Sequence, residues 1–378
     1  MWRRLAAYMR FNGLGPGGKP NPLKRRDAPA STILVETAFS PNPGNLRMFT
    51  YVPPALKAGA PLVVVLHGCG QTAGGYDFGT GWSQLAARTG FVVLAVEQKA
   101  LNNPNTCFNW FNPEDIKRGE GEAASIAAMI GTMIKYHALD PSRVFITGLS
   151  AGGAMAAVML ATYPEIFAGG AIIAGLPFGA ALNVRDALDT MRSAPLKTPS
   201  EWGELVRAAS DHKGPWPKIS IWHGALDTTV NVNNAQASVA QWGELHGLKL
   251  TAAKQEMVDS AIRLSWDDRL EVYTIPALGH GAPIDSRIAG TPAPFILEAG
   301  ISSTTRIAEF WGLLAKPVAR PKPAPIRIVP PPEQSAEQSA LPQIEAALTP
   351  PERISPTGAR AENLILRALK AAGLIPKR

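Results

Sequence analysis

The segment Leu62-Val63-Val64-Val65-Leu66 is apolar at every position, with Pro61 before it and His67-Gly68 after it. Side chains along a strand point alternately to the two faces of its sheet, so a strand with no polar position has no face that can meet water. The runs 91–96 and 144–147 have the same character, and 168–174, 219–222 and Leu270–Ile275 complete the set. Helical stretches alternate with them at Trp82–Thr89, 120–137, 151–163, 233–246 and 302–314. This rhythm predicts an α/β chain whose mostly parallel central sheet is flanked by helices on both faces. Two earlier runs, 33–37 and 47–52, predict an antiparallel lead-in. Residues 176–217 break the rhythm with helix-like pieces interrupted by Pro195, Pro199, Pro215 and Pro217. That stretch is either cover for a site or a lengthened connection.

Charge divides the 378 residues further. The formal net charge of +7 comes from residues 1–30 (+6) and 316–378 (+5), whereas 31–315 carries −4. A nucleic-acid binder needs a basic face on a folded domain, and the body lacks one, so no nucleic-acid partner is expected. No apolar run approaches the ~20 residues of a membrane helix, so no transmembrane segment is expected. The N-terminus opens with Arg3 and Arg4 as a signal peptide does, but a continuous apolar stretch and a small-residue cleavage site do not follow. Trp2, Leu5, Tyr8 and Met9 fit one face of a weak surface helix; a frayed basic leader is the plainer reading. Ten prolines within 316–352 mark a linker unable to bury enough apolar surface to order itself. Beyond it, Leu364, Ile365 and Leu369 fit one face of a short helix that is marginal alone. The expected division is a basic leader (1–30), an α/β body (31–315), a Pro-rich linker (316–352) and a short helical tail (353–378).

The chemistry is carried by Gly148-Leu149-Ser150-Ala151-Gly152, which joins a buried strand to a small-residue helix. In that context G-x-S-x-G is a nucleophile turn: the serine is held in a strained backbone conformation, and the flanking positions must lack bulk. The N–H of Ala151 lies at a helix N-terminus, where it can stabilise an oxyanion. A second donor is expected from the loop after Leu62–Leu66, at Cys69, with Gly70 as its neighbour. His67, in the same loop, is expected to pin it by a side-chain hydrogen bond. The acid should follow the nucleophile and precede the base, and Asp227 ends the loop after strand 219–222; Asp189 and Asp211 are rivals within the irregular stretch. Of the six histidines only His246 and His280 come late enough to be the base. His246 ends a helix and reads as solvated, whereas His280 sits in a glycine-flanked loop and can swing toward Ser150. The chemistry is acyl transfer with Ser150 as nucleophile, His280 as base and Asp227 orienting it, and it requires no metal or cofactor. Trp110 and Trp222 are candidates to line an acyl pocket, or simply core. Cys69 and Cys107 are too few for a disulfide scaffold or a structural zinc; one bridge or two buried thiols remain open.

The segments LHGCGQTA (66–73), GTGWSQLA (79–86), CFNWF (107–111), GEAASIAAMI (121–130), RVFITGLSAGGAM (143–155), IWHGALDTTVN (221–231) and ALGHGAP (277–283) resemble, in order, the polyhydroxybutyrate depolymerase family of esterases, which includes feruloyl and acetyl xylan esterases. The resemblance spans roughly 32–314. It implies an α/β-hydrolase fold and hydrolysis of short-chain hydroxyalkanoate or related esters, with the triad at Ser150, Asp227 and His280. It brings the segments of Cys69 and Cys107 near the cleft, so a disulfide between them is expected. It also implies export, although the chain lacks a clear signal peptide and its tail is too short for a polymer-binding domain.

If the tail takes no part in the chemistry, truncation after Leu314 is expected to leave kcat/KM on a soluble ester within about threefold of the full chain. A large loss of activity or a collapse in thermal stability would show that the tail packs into the body.

Overall fold

The structure, a computed structural model, describes residues 34–314. The expected leader 1–30, linker 316–352 and tail 353–378 lie outside the described residues. The strands are β1 (Val35–Glu36), β2 (Arg47–Tyr51), β3 (Leu62–Leu66), β4 (Val92–Glu97), β5 (Val144–Leu149), β6 (Gly169–Ile173), β7 (Lys218–Gly224), β8 (Lys254–Val258), β9 (Ala261–Trp266), β10 (Leu270–Ile275), β11 (Ala282–Ile284) and β12 (Ile296–Glu298). The helices are α1 (Ala73–Thr80), α2 (Trp82–Thr89), α3 (Pro113–Ile116), α4 (Gly121–His137), α5 (Ala151–Thr162), α6 (Val184–Arg192), α7 (Pro199–Arg207), α8 (Asn233–Leu245) and α9 (Ser303–Phe310).

Ten strands form one sheet in the order β1-β2-β4-β3-β5-β6-β7-β10-β9-β8. The run β4-β3-β5-β6-β7-β10 is parallel, with antiparallel pairs at either end. The apolar strands divide their side chains between two cores. Leu62, Val64 and Leu66 join Ile126, Met129, Met155 and Trp242 on one face. Val63 and Val65 join Tyr76, Trp82, Ile307 and Trp311 on the other. Two buried faces explain why β3 to β6 have no exposed position. On the second face Trp311 stacks between Phe145 (4.9 Å) and Trp82 (5.8 Å).

The edge beyond β10 is absent from the sequence reading for a physical reason. β8 is Lys-Gln-Glu-Met-Val, largely exposed, and its residues are those of a blunted edge strand. Its pairing comes from tertiary partners: Arg263 on β9 bridges Glu256 on β8 and Glu271 on β10, the latter at 2.7 Å. The irregular stretch 176–217 folds into α6 and α7 and docks on α8. Gln241 accepts from Phe178 N at 3.0 Å and donates to Phe178 O and Trp202 O, and Asn234 donates to Thr190 O at 2.8 Å.

The connection from β4 to α4 is built around a buried acid. Glu122, only 1% exposed, accepts from Asn109 N and Asn109 Nδ2, both at 2.9 Å, and from Gln98 Nε2. Gln98 also donates its backbone N–H to His67 Nε2 (3.1 Å) and its amide to Cys107 O (3.1 Å). Cys107 is bonded to Cys69 with a Cα–Cα separation of 4.3 Å, so the loop after β3 is tied to this connection twice. Burial, helped by the charge of Asp115, pushes the Glu122 carboxyl up to about 8 against the pull of its three donors.

The folded chain therefore holds a proton on Glu122 that the unfolded chain releases near the ordinary value of 4.5. This contribution to stability is full below about 4.5 and is lost as pH rises through about 8. Glu122→Gln is expected to lower the urea midpoint overall and to flatten its decline across that window. Parallel pH slopes in the two proteins would contradict it.

Candidate active site

The loops that follow β3, β5, β7 and β10 leave one edge of the parallel sheet, where open α/β sheets meet their ligands. Ser150 stands one residue beyond β5 with φ +57° and ψ −117°, far from the regions a serine prefers. The turn tolerates no side chain on either flank. A Cβ on Gly148 would fall 2.3 Å from Gly152 O, and one on Gly152 would fall 2.4 Å from Leu66 O. Ser150 N donates to Ile173 O at 2.8 Å and Ser150 O accepts from Ala154 N at 2.9 Å, so the strained residue is held from both sides. α5, buried at every position, follows directly.

Asp227 lies in the loop after β7 with a side chain closed to solvent. Its Oδ2 accepts from His280 Nδ1 at 2.7 Å, and His223 Nε2 lies 3.3 Å from the same oxygen. Its Oδ1 accepts from Thr229 N and Val230 N, both at 2.8 Å. Burial alone would push the carboxyl up. The hydrogen bonds from His223 and His280, the imidazole charge and the backbone donor outweigh burial and hold it well below the usual carboxylate range. The Asp227 and His280 loops are locked together by Leu226 N donating to Leu278 O at 2.9 Å; a Cβ on Gly224 would fall 2.3 Å from that same carbonyl. With Nδ1 donating to Asp227, Nε2 of His280 carries the lone pair that can take a proton. Among the described residues Ser150 and His280 close no hydrogen bond with each other, a contact that often tightens only around substrate.

The loop after β3 lies against the start of α5, as the approach of Gly152 to Leu66 O and His67 O requires. Gly70 N is used up, donating to Asn105 O at 2.8 Å and Thr106 Oγ1 at 3.2 Å, and Gly68 N donates to Gln71 Oε1 at 2.9 Å. Among the described residues the N–H groups of Cys69 and Ala151 have no acceptor. Both are free to donate to a ligand, whereas Gly70 N is already engaged. His67 is wholly buried, donates Nδ1–H to Gly68 O (2.7 Å) and accepts from Gln98 N; burial pushes it below the usual histidine range.

Three expectations are corrected. Trp222 does not line a pocket: it is 0% exposed, stacked on Tyr273 at 3.8 Å, with Nε1 donating to Ser220 Oγ at 2.8 Å. Trp110 is 7% exposed and edge-on to Phe111, leaving only a rim for a ligand. His246 is not solvated: it is half-buried against Pro217 O at 3.1 Å, and burial pushes it down to about 4. The rival acids lie elsewhere. Asp189 pairs with Arg192, and Asp211 lines an open surface cavity of about 710 Å³ with Arg118, Glu165 and Arg207, away from Ser150, Asp227 and His280. His223 is the residue the sequence reading missed. Chain order set it aside as the base, but its place four residues before Asp227 was a usable sign of contact with that carboxylate.

Residues 46–259 match the family described as Esterase PHB depolymerase. The chain is 44% identical over 286 residues to "Poly(3-hydroxyalkanoate) depolymerase C" of Paucimonas lemoignei, covering 73% of this chain and 69% of the relative. It is 32% identical over 266 residues to "Acetylxylan esterase A" of Aspergillus oryzae, covering 68% and 86%. The solved acetyl xylan esterase from Aspergillus awamori aligns with a TM-score of 0.65 and 26% identity over 74% of this chain and 99% of that one. With an α/β-hydrolase sheet, a strained serine at its edge and these relatives together, the chain belongs to the PHB depolymerase esterase family and is a carboxylic ester hydrolase.

Proposed function

We propose that the chain hydrolyses short-chain hydroxyalkanoate esters or oligomers through an acyl-enzyme on Ser150. The observation that carries the mechanism is the bond of His280 Nδ1 to an ionised, buried Asp227. His280 Nε2 takes the Ser150 proton as Oγ adds to the ester carbonyl, and the oxyanion accepts from Cys69 N and Ala151 N. His280 then gives the proton to the departing alcohol, and a water activated by the same imidazole frees the acid. Asp227 fixes the tautomer and stabilises the imidazolium without taking the proton.

The substrate class is supported by 44% identity to a poly(3-hydroxyalkanoate) depolymerase, against 32% for the acetylxylan esterase. Acetylated xylan is the second reading, favoured by the 0.65 TM-score. A panel of hydroxybutyrate oligomers, p-nitrophenyl esters, feruloyl esters and acetylated xylan separates them. The highest kcat/KM is expected on the oligomers; a preference for acetylated xylan would overturn the first reading.

Ser150→Ala is expected to lower kcat by about 10⁴- to 10⁶-fold. Near-normal turnover would defeat the assignment.

Activity is expected to rise with pH along an acid limb, because only the neutral imidazole accepts the Ser150 proton. His280→Ala should abolish both limb and turnover. His246→Ala should keep both, since that imidazole is pushed down to about 4 and lies far from Asp227 in the fold. An inactive His246→Ala beside an active His280→Ala would reverse the choice of base.

A further inference from the structure

Residues 293–296 form a turn closed from both ends, Ala293 N donating to Ile296 O at 3.1 Å and Ile296 N to Ala293 O at 2.9 Å. Pro294 and Phe295 are its central residues. Proline suits the first, but Phe295 has φ +63°, in the left-handed region that such turns reserve for glycine. A large aromatic there strains the backbone, and burial offers little in return because Phe295 remains 46% exposed. Neither local preference nor core packing accounts for this residue.

Its surroundings do. The Phe295 ring stands in a T-shaped arrangement on the His280 imidazole, centroids 5.9 Å apart and planes at 73°. Its turn is fastened to both halves of the machinery. Gln71 Nε2 donates to Pro294 O at 2.9 Å while Gln71 Oε1 holds Gly68 N of the oxyanion loop. Ala282 N donates to Phe295 O at 2.8 Å, and a Cβ on Gly281, beside His280, would fall 2.7 Å from that carbonyl. The strained backbone thus presents an exposed aromatic surface next to the base, rigidly related to the oxyanion loop.

In acyl transfer the leaving oxygen receives its proton from the histidine, so the alcohol half of the ester departs past the imidazole. We infer that Phe295 sets specificity for that alcohol half, its exposed face acting as a wall for an apolar alcohol or the next hydroxyacyl unit. This rests on the Ser150–Asp227–His280 reading above.

Two ester series test it: acetates of methyl, butyl and naphthyl alcohols, and methyl esters from acetyl to hexanoyl. In Phe295→Ala, kcat/KM is expected to fall about tenfold on naphthyl acetate, mainly through KM, while every methyl ester stays within about twofold. Labelling of Ser150 by a fluorophosphonate, which has no alcohol to expel when fluoride leaves, is run in parallel. Failure to label the wild type would sink the triad reading itself. Normal labelling of both proteins with an unchanged alcohol series would overturn the role of Phe295. So would slower labelling with a uniform loss on all esters, which would make the ring a mere support for His280. Phe295→Gly is expected to melt about 2 °C or more above Phe295→Ala, since glycine alone adopts this φ without strain; the reverse order would remove the strain argument.

Discussion

The negative charge of Asp227 is the interaction on which the rest of the site depends. A carboxylate removed from water is unstable unless its oxygens are satisfied, and here they accept hydrogen bonds from His280 Nδ1, Thr229 N and Val230 N, with His223 Nε2 at 3.3 Å. Those donors come from two loops at neighbouring strand ends, so keeping Asp227 ionised also fixes the loops against each other. The orientation of the His280 imidazole is therefore a consequence of burying this charge well. His223 divides its proton between Val230 O and the Asp227 carboxylate, which anchors the acid's loop to its own strand.

The serine side works by a different principle. Ser150 and Phe295 both hold positive φ, a costly conformation that survives only where neighbouring structure enforces it. For Ser150 the enforcement is the close contact of α5 with the ends of β3 and β5, possible because Gly148 and Gly152 lack side chains. The loop after β3 has its own support from the buried acid Glu122, through Gln98 to His67 and through Cys107 to Cys69. Cys69 N and Ala151 N, both without an acceptor among the described residues, lie on the loop after β3 and at the start of α5, which those contacts bring together.

Much of this was legible in the sequence because it depends on local pattern. Apolar strands such as Leu62–Leu66 announce burial on both faces, and the strand–turn–helix around Ser150 needs glycines that can be read directly. Asp227 and His280 followed from chain order and from lying just beyond strands. What was not legible depends on tertiary partners. α1, with Gly74, Gly75 and Gly79, is a poor helix alone and owes its place to Thr72 capping and burial of Tyr76. β8 is too polar to be read as a strand. Trp222 lies five residues before Asp227 in sequence, yet the strand directs its ring into the core beside Tyr273. Phe295 left no pattern, because its significance is a backbone angle.

The most direct test of this account is a crystal structure of the enzyme inhibited by a phosphonate. Phosphorus is expected on Ser150 Oγ alone, with the phosphonyl oxygen about 2.7–3.1 Å from both Cys69 N and Ala151 N. His280 should remain bonded to Asp227 and face the serine oxygen. A phosphonyl oxygen held by Gly70 N, or a label on another serine, would contradict it.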